Sequence, residues 1–314
     1  MINRGRCDMF KYVYGPVPSR RLGESLGISP IPFKTCDYSC VYCQLGRTTN
    51  LTVERKEYFP LEDIIDELKE NVKLFSFDTV TIVGEGEPTL HSRIGDLIAS
   101  IKKLTTKKCA VITNGSLLWN EDVQKGLMKA DIVLPSLDAW DEESFKRINR
   151  PHGSLNFEKV VKGMITFRKK YKGEIWLEVM LVSGLNDSDE NLLKIAGWIE
   201  KIKPDRVYVN VPVRPPTESW VKIPDTSRIR KAERILKGVF MGKVPQGEFH
   251  SGLEDTLDAI MSIIRRHPMS YNEVIGFSKD RGENVEEVLE RLRRNPNVEV
   301  VRINNGEFFR YKKR

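Results

Sequence analysis

The sequence predicts an α/β protein that is built around a parallel sheet and followed by a smaller domain. Over residues 60–240, short apolar or β-branched runs alternate with amphipathic segments of helical length, as expected of repeated βα units. After a segment rich in Gly, Pro and Lys at 238–252, the pattern changes to helices and a hairpin. Consecutive βα units imply parallel strands with right-handed crossovers, in a doubly wound sheet or in an open or closed barrel. In either arrangement we expect the functional site at the carboxyl ends of the strands.

Strands and helices are expected to alternate along the larger domain. Six segments have the composition of strands and are bounded by Gly, Pro or Asn: residues 25–29, 79–83, 109–113, 132–136, 175–182 and 207–211. Five further segments have apolar residues at helical spacing: 61–74, 93–104, 121–129, 157–171 and 189–202.

The C-terminal part has a different pattern. Helices are predicted at 253–265, 270–275 and 284–294, and strands at 298–303 and 307–311 flank the turn Asn304-Asn305-Gly306, which is a hairpin signal. Three helices followed by a hairpin resemble a winged-helix domain. We therefore divide the chain into a larger domain with an N-terminal extension at 1–240, a linker at 241–252 and a winged-helix-like domain at 253–314.

The composition is that of a soluble protein with a core, because 40% of the residues are hydrophobic and 30% are charged. No segment approaches the roughly 20 apolar residues of a membrane span, and residues 1–11 lack the apolar core of a signal peptide. We therefore expect no membrane partner and a cytoplasmic location. The net charge of +7 permits an anionic partner such as RNA, although abundant Lys, Arg and Glu are also typical of proteins from hot environments.

Three of the five cysteines, Cys36, Cys40 and Cys43, lie close together after the first predicted strand. An odd number of cysteines grouped in this way favours metal or redox chemistry over disulfides. Three thiolates can each bind one iron of a 4Fe–4S cubane, which leaves the fourth iron open to another ligand. A structural zinc ion is the alternative, but it needs four ligands, and Cys7 or Cys109 would have to return from a distance.

The spacing C-x-x-x-C-x-x-C, with Tyr42 before the last cysteine, resembles the signature of the radical S-adenosylmethionine superfamily. The resemblance implies a partial (β/α)6 TIM-like barrel and an enzyme that holds a 4Fe–4S cluster on Cys36, Cys40 and Cys43. It further implies that S-adenosylmethionine binds the open iron and is cleaved to a 5′-deoxyadenosyl radical, which abstracts hydrogen from a substrate. A low-potential electron donor such as ferredoxin or flavodoxin is implied as well.

Further segments follow in the order that the superfamily shows. Residues 84–88 resemble its Gly-Gly-Glu-Pro segment, which accepts the methionyl ammonium, and the ends of the third and fourth strands commonly touch the ribose, carboxylate or sulfonium. Tyr42 is expected to pack against the adenine. The resemblance thus implies seven cofactor-binding residues: Tyr42, Glu85, Gly86, Glu87, Asn114, Ser136 and Asp138. The alternative for residues 84–88 is a plain β-turn, and for the ends of the third and fourth strands it is a helix N-cap or a turn. The alternative for Tyr42 is core packing. Glu178 faces either the barrel interior or solvent.

Residues 14–23, 40–48, 147–152 and 213–216 resemble the branch that contains the wyosine-type tRNA synthetases, over about residues 10–220. Those enzymes carry further upstream cysteines for a second cluster, whereas only Cys7 precedes Cys36 here, which argues against the wyosine reaction itself. No catalytic acid or base can be assigned.

The favoured substrate class is RNA, tRNA in particular, and a peptide or small molecule is the alternative. Five residues are candidates to bind an anionic substrate, with surface ion pairing as the alternative: Arg20, Arg21, Arg150, His152 and Arg214. A second class of function is an iron–sulfur regulator whose winged helix binds nucleic acid, which predicts a cluster without turnover of S-adenosylmethionine.

Overall fold

A mixed sheet of eight strands forms the centre of the larger domain. The computed structural model describes residues 11–242, 251, 253, 255–303 and 306–312. The first ten strands are β1 (Val13–Ser19), β2 (Gly23–Ile28), β3 (Thr35–Cys36), β4 (Asn50–Leu51), β5 (Thr79–Ile82), β6 (Lys108–Thr113), β7 (Ile132–Pro135), β8 (Glu174–Met180), β9 (Arg206–Asn210) and β10 (Val239–Phe240). The large sheet has the order β1-β2-β5-β6-β7-β8-β9-β10, and β3 and β4 pair separately. Only β1, antiparallel to β2, departs from the parallel direction among these pairs.

The six predicted strands are confirmed as β2 and β5 to β9. Two edge strands, β1 and β10, were not predicted. β1 contains Gly15, Pro16 and Pro18, and its register with β2 shifts between Tyr14 and Val17, so the alternation that marks a strand is broken. Proline is tolerated there because an edge strand need not donate every backbone N–H.

The helices of the larger domain follow the predicted alternation. They are α1 (Leu61–Leu74), α2 (Ile94–Leu104), α3 (Glu121–Leu127), α4 (Glu142–Ile148), α5 (Phe157–Lys170), α6 (Asp189–Ile202) and α7 (Thr226–Leu236). The five predicted helices are confirmed, whereas the short α4 and the later α7 are additional. The helices α3 to α7 begin at side chains that accept backbone N–H groups of the first turn: Asn120, Asp141, Asn156, Ser188 and Asp225.

The two faces of the large sheet bury different sets of side chains, because successive residues of a strand point to opposite faces. Cys109 of β6 and Leu177 of β8 join the main core, which the helices cover. Ala110, Trp176 and Tyr208 belong to a second apolar cluster on the opposite face, which we call the inner face. Leu22, from the turn between β1 and β2, packs into this second cluster.

The C-terminal unit contains three helices and a three-stranded sheet in the described residues. Its elements are α8 (Thr256–Ile264), β11 (Met269–Ser270), α9 (Tyr271–Asp280), α10 (Val285–Arg294), β12 (Val298–Ile303) and β13 (Gly306–Tyr311). The sheet is antiparallel in the order β11-β13-β12, and a separate apolar core lies beneath it. The three predicted helices and both hairpin strands are confirmed, but the tip of the predicted turn, Asn304-Asn305, lies outside the described residues.

The C-terminal unit contacts the larger domain on one side. Val17 of β1 packs against the core of this unit, and Arg266 Nη2 donates a 2.7 Å hydrogen bond to the Lys11 carbonyl oxygen. Most of the predicted linker and Cys7 lie outside the described residues, so the division at 241–252 stays a prediction. In the part of the chain that the structure describes, helices with the length and apolar character needed to cross a membrane are absent.

Candidate metal centre

The cysteine loop lies where the sequence predicts, at the carboxyl ends of β2 and β5. Lys34 N donates to the Glu85 carbonyl oxygen at 2.5 Å, and Glu87 N donates to the Thr35 carbonyl oxygen at 3.1 Å. Gly86 lies so close that a β-carbon there would be 1.8 Å from the Thr35 carbonyl oxygen. Residues 84–88 and the start of the cysteine loop therefore form one packed unit, which only glycine at position 86 permits.

A second segment holds the loop from the end of α4. Val41 N donates to the Ile148 carbonyl oxygen at 3.0 Å, and Ser39 N donates to the Asn149 carbonyl oxygen at the same distance. His152 N donates to the Asp37 carbonyl oxygen at 2.8 Å. The short helix that sequence reasoning missed thus anchors the backbone around Cys40.

Each of the three cysteine sulfurs in the loop has an N–H donor near it. Asn114 Nδ2 lies 3.8 Å from Cys36 Sγ, Asn149 Nδ2 lies 3.6 Å from Cys40 Sγ, and Lys34 Nζ lies 3.6 Å from Cys43 Sγ. Donors of this kind stabilise the negative charge of a thiolate and tune an attached iron–sulfur cluster. The donors come from three different parts of the chain.

Burial makes the thiols of Cys36 and Cys40 poor acids on their own. Burial, followed by the nearby carboxylates of Asp37 and Glu87, raises the pKa of Cys36 well above its ordinary value. Burial and the Asp138 carboxylate raise the pKa of Cys40 to about 12. A cationic metal group is therefore needed to keep them deprotonated as ligands. Three soft sulfur donors with N–H partners fit an iron–sulfur cluster.

The zinc alternative fits less well. Among the described residues, no three His, Cys, Asp or Glu side chains are grouped as ligands of a single metal ion, whereas in a cubane each thiolate binds a different iron. Cys109 is buried near the amino end of β6, four residues before Thr113 at the carboxyl end, so it lies roughly 13 Å along the strand from the edge that holds the loop. Cys7 lies outside the described residues.

Glu87 is predicted to contact a cofactor, but its carboxylate is engaged within the protein. Its Oε1 accepts hydrogen bonds from Thr89 N at 2.9 Å, Thr89 Oγ1 at 2.6 Å and Thr113 Oγ1 at 2.6 Å. Its Oε2 accepts from Asn114 N at 2.7 Å. A carboxylate offers about four acceptor sites, so Glu87 joins residues 84–88 to the end of β6 and has little capacity left for a ligand.

Glu85 is buried beside the C-terminal unit. The Arg265 Nε and Glu85 Oε1 atoms are 3.2 Å apart, and the Arg266 Nε and Glu85 Oε2 atoms are 3.8 Å apart. Ser29 Oγ also donates to Glu85 Oε2 at 3.4 Å. The Glu85 carboxylate, one of the seven predicted cofactor-binding groups, is therefore already paired with two arginines, which no local sequence pattern indicates.

Tyr42 and Asp138, both predicted to bind the cofactor, are in contact with each other. The Tyr42 hydroxyl and Asn149 Nδ2 both donate to Asp138 Oδ2, the latter at 2.9 Å, and Met180 N donates to Asp138 Oδ1 at 2.8 Å. The Tyr42 ring packs against an apolar cluster that includes Val182. Tyr42 thus makes core contacts and is anchored by Asp138, while its contact with the adenine stays a prediction.

Asn114 and Ser136 lie at neighbouring strand ends. Asn114 Nδ2 donates to Asp37 Oδ1 at 2.6 Å, and Ser116 Oγ donates to Asp37 Oδ2. Ser136 is half-buried and forms a backbone bridge with Glu178. Asp37, Asn149 and Lys34 were missed by sequence reasoning, although Asn149 lies within the Arg-Ile-Asn-Arg-Pro-His segment that carries the resemblance.

The five candidate anion-binding residues fall into two groups, Arg150 with His152 and Arg20 with Arg21 and Arg214. In the first group, Arg150 Nη1 lies 2.6 Å from Glu218 Oε1, and His152 Nδ1 lies 2.9 Å from Oγ of the exposed Ser154. Arg21 forms an ion pair with Glu178, and Arg214 lies 2.8 Å from Glu273 of the C-terminal unit. Arg20 and Arg21 are in the hairpin turn at the inner face.

Comparisons with known proteins identify the superfamily of this chain. The family model of the radical SAM superfamily matches residues 31–196. The chain is 38% identical to a UPF0026 protein of Methanocaldococcus jannaschii over 82% of both chains. It is also 38% identical to a protein named GTPase Obg of Brachyspira hyodysenteriae, over 90% of this chain but only 42% of that protein. The crystal structure of Streptococcus suis SuiB bound to precursor peptide SuiA shares the fold, with a TM-score of 0.54 at 18% identity over 72% of this chain and 50% of that one. The chain belongs to the radical SAM superfamily, which is a superfamily of enzymes.

Proposed function

We propose that this chain is a radical S-adenosylmethionine enzyme with a 4Fe–4S cluster on Cys36, Cys40 and Cys43. The observation that carries the proposal is that each of these sulfurs has an N–H donor within 3.8 Å in one anchored loop. Membership of the superfamily supports S-adenosylmethionine as the cofactor. The eight-stranded sheet with a buried inner face supports the partial (β/α)6 barrel.

A 4Fe–4S cluster held by Cys36, Cys40 and Cys43 would, once reduced, supply the electron for cleavage of the sulfonium C–S bond of S-adenosylmethionine to methionine and a 5′-deoxyadenosyl radical. Lys34, Asn114 and Asn149 hold N–H groups toward the three sulfurs. Glu87 fixes residues 84–88 against β6, so that the backbone of Glu85 and Gly86 is held beside the loop. We assign the methionyl end of the cofactor to this backbone, and the ribose to Asn114, Ser136 and the neighbourhood of Asp138.

For the substrate we retain two classes. RNA is favoured by the resemblance to the wyosine-type branch, which the relatives' names leave as a prediction. The C-terminal arginines favour the peptide or small-molecule class, because they are paired with carboxylates: Arg291 with Asp255 at 3.3 Å, Arg293 with Glu307 at 2.8 Å and Arg310 with Glu299 at 2.8 Å.

The order α8, β11, α9, α10, β12, β13 supports a winged helix. A ferredoxin or flavodoxin remains our proposed electron donor.

The deciding experiment is anaerobic. The protein is reconstituted with iron and sulfide, reduced, and mixed with S-adenosylmethionine, and 5′-deoxyadenosine is measured by chromatography. Product is expected only when iron, sulfide and reductant are all supplied. A cluster-loaded protein that forms no product would contradict the proposal and favour the iron–sulfur regulator.

Nucleoside mass spectrometry of RNA from cells with and without the protein tests the RNA class, and an unchanged profile counts against it.

Asn149→Ala is expected to shift the midpoint potential of the cluster to a more negative value. The variant removes the N–H donor near Cys40 Sγ, and this donor favours the reduced state because that state carries more negative charge on the sulfurs. The potential is measured by a redox titration monitored by electron paramagnetic resonance.

The control is Asn156→Ala. Asn156 caps α5 by accepting a hydrogen bond from Lys159 N, so this variant is expected to cost about 1 kcal/mol of stability without moving the potential. Equal potentials in the Asn149→Ala variant and the unchanged protein would refute the role given to Asn149.

A further inference from the structure

The turn between β1 and β2 brings the Arg21 side chain onto the inner face of the sheet. Leu22 packs against Trp176 and Tyr208 in the inner apolar cluster. The preceding residue, Arg21, forms an ion pair with Glu178 of β8. This turn therefore lies against the same face of the sheet that the strands β6 to β9 line.

A polar layer covers the apolar cluster on that face. Glu178 follows Trp176 by two residues on β8, and Asn210 follows Tyr208 by two residues on β9, so each lies closer to the carboxyl end on the same face. Asn210 Nδ2 donates to Glu178 Oε2 at 3.2 Å, and the backbone of Glu178 bridges that of Ser136. The layer is thus at the edge of the sheet that holds the cysteine loop.

Two guanidinium nitrogens of this turn are buried without a hydrogen bond. Arg20 Nη1 and Arg21 Nε have no hydrogen-bond partner within the described ranges of the chain. A buried N–H donor without a partner costs more free energy on a cation than on a neutral group, because the hydration lost on burial is not replaced. Such an arrangement is expected where an anionic ligand completes it.

The charges around these two arginines are not balanced. Arg214 is the third cation, and Glu178 and Glu273 are the two carboxylates that form ion pairs with Arg21 and Arg214. Burial and the Arg214 charge lower the pKa of Arg20 to about 10, and burial and the Arg20 charge lower the pKa of Arg21 to about 10. Arg20 is therefore the cation of this group without a paired carboxylate among the described residues.

We propose that Arg20 and Arg21 bind the phosphate or carboxylate group of a small substrate on the inner face of the sheet. The planar fork of arginine matches both oxyanions. A small molecule fits better than a nucleic acid because Arg20 is half-buried and the Arg21 side chain is only 13% exposed, whereas polyanion binding relies on many accessible phosphate contacts. The proposal rests on the proposed function only where it identifies the anion as part of the substrate.

The test measures binding of inorganic phosphate and of acetate to the full chain, with and without the reconstituted cluster. Binding is followed by calorimetry and by thermal unfolding, with chloride at the same ionic strength as the reference. We expect phosphate or acetate to raise the melting temperature of the unchanged protein. Arg20→Gln is expected to weaken the binding by at least about tenfold, since it removes a charged hydrogen-bond donor. The matched control is Arg228→Gln, because Arg228 is a surface residue paired with Asp189 at 3.1 Å.

The variants also separate binding from a structural role. Without an added anion, the Arg20→Gln variant is expected to be at least as stable as the unchanged protein, because an unneutralised buried cation has been removed. A response to phosphate alone identifies a phosphate group, and a response to acetate alone identifies a carboxylate. The proposal is overturned if neither anion binds, if the Arg20→Gln variant binds as well as Arg228→Gln, or if an RNA oligonucleotide binds through Arg20 where the small anions do not. Formation of 5′-deoxyadenosine is scored separately, so the two proposals can fail independently.

Discussion

Cys40→Ala is expected to abolish both cluster assembly and the formation of 5′-deoxyadenosine. Cys40 lies between the other two ligands in sequence, and its sulfur is held by Asn149 Nδ2 at 3.6 Å in a loop anchored by Ile148 and Asn149. Two thiolates cannot hold a cubane that needs a ligand on three of its irons. The measurements are iron content per chain after reconstitution and the yield of 5′-deoxyadenosine.

The matched control is Cys109→Ala. Cys109 is fully buried in the main core, so this variant is expected to lose about 1 kcal/mol of stability and to keep its cluster and activity. Loss of the cluster in the Cys109→Ala variant, or its retention in the Cys40→Ala variant, would show that the ligand set is wrong.

Gly86→Ala is expected to destabilise the protein by roughly 3 kcal/mol or more, which is a large effect for one methyl group. The added β-carbon would lie 1.8 Å from the Thr35 carbonyl oxygen, and backbone atoms cannot turn aside as a flexible side chain can. Residues 84–88 must then move away from the cysteine loop, and the hydrogen bonds of Lys34 N and Glu87 N are lost. Urea unfolding followed by circular dichroism measures the change.

Gly153→Ala is the control for that substitution. Nothing lies within 4 Å of a β-carbon at Gly153, so the free energy of unfolding should change by no more than about 0.5 kcal/mol. Similar values for the two alanine variants would mean that residues 84–88 are not packed against the cysteine loop as described.

Local patterns were sufficient for most of the fold. The strands β2 and β5 to β9 have β-branched or apolar runs between turn residues, and α1 and α6 have the predicted bounds, Leu61–Leu74 and Asp189–Ile202. The pattern fails for β1, where two prolines interrupt the strand, and for α4, which was not predicted although α3 has the same length of seven residues. In both cases contacts with the rest of the chain decide the conformation.

The site was predictable at its cysteines and less so around them. The spacing of Cys36, Cys40 and Cys43 is local, and the structure brings the three into one loop. The partners of the predicted carboxylates are distant in sequence: Glu85 meets Arg265 and Arg266, and Glu87 meets Thr113. Tertiary packing determines such pairs, so composition and spacing gave no signal for them.

The most direct test of the cluster assignment uses electron paramagnetic resonance and electron–nuclear double resonance of the reduced, reconstituted protein. Spectra are recorded with and without S-adenosylmethionine that carries ¹⁵N in its amino group. Three protein thiolates leave one iron available, so we predict that the cofactor changes the spectrum and that the label couples to the cluster. An unchanged spectrum without coupling, or a protein that binds one zinc ion through four of its own ligands in place of the cluster, would contradict the account.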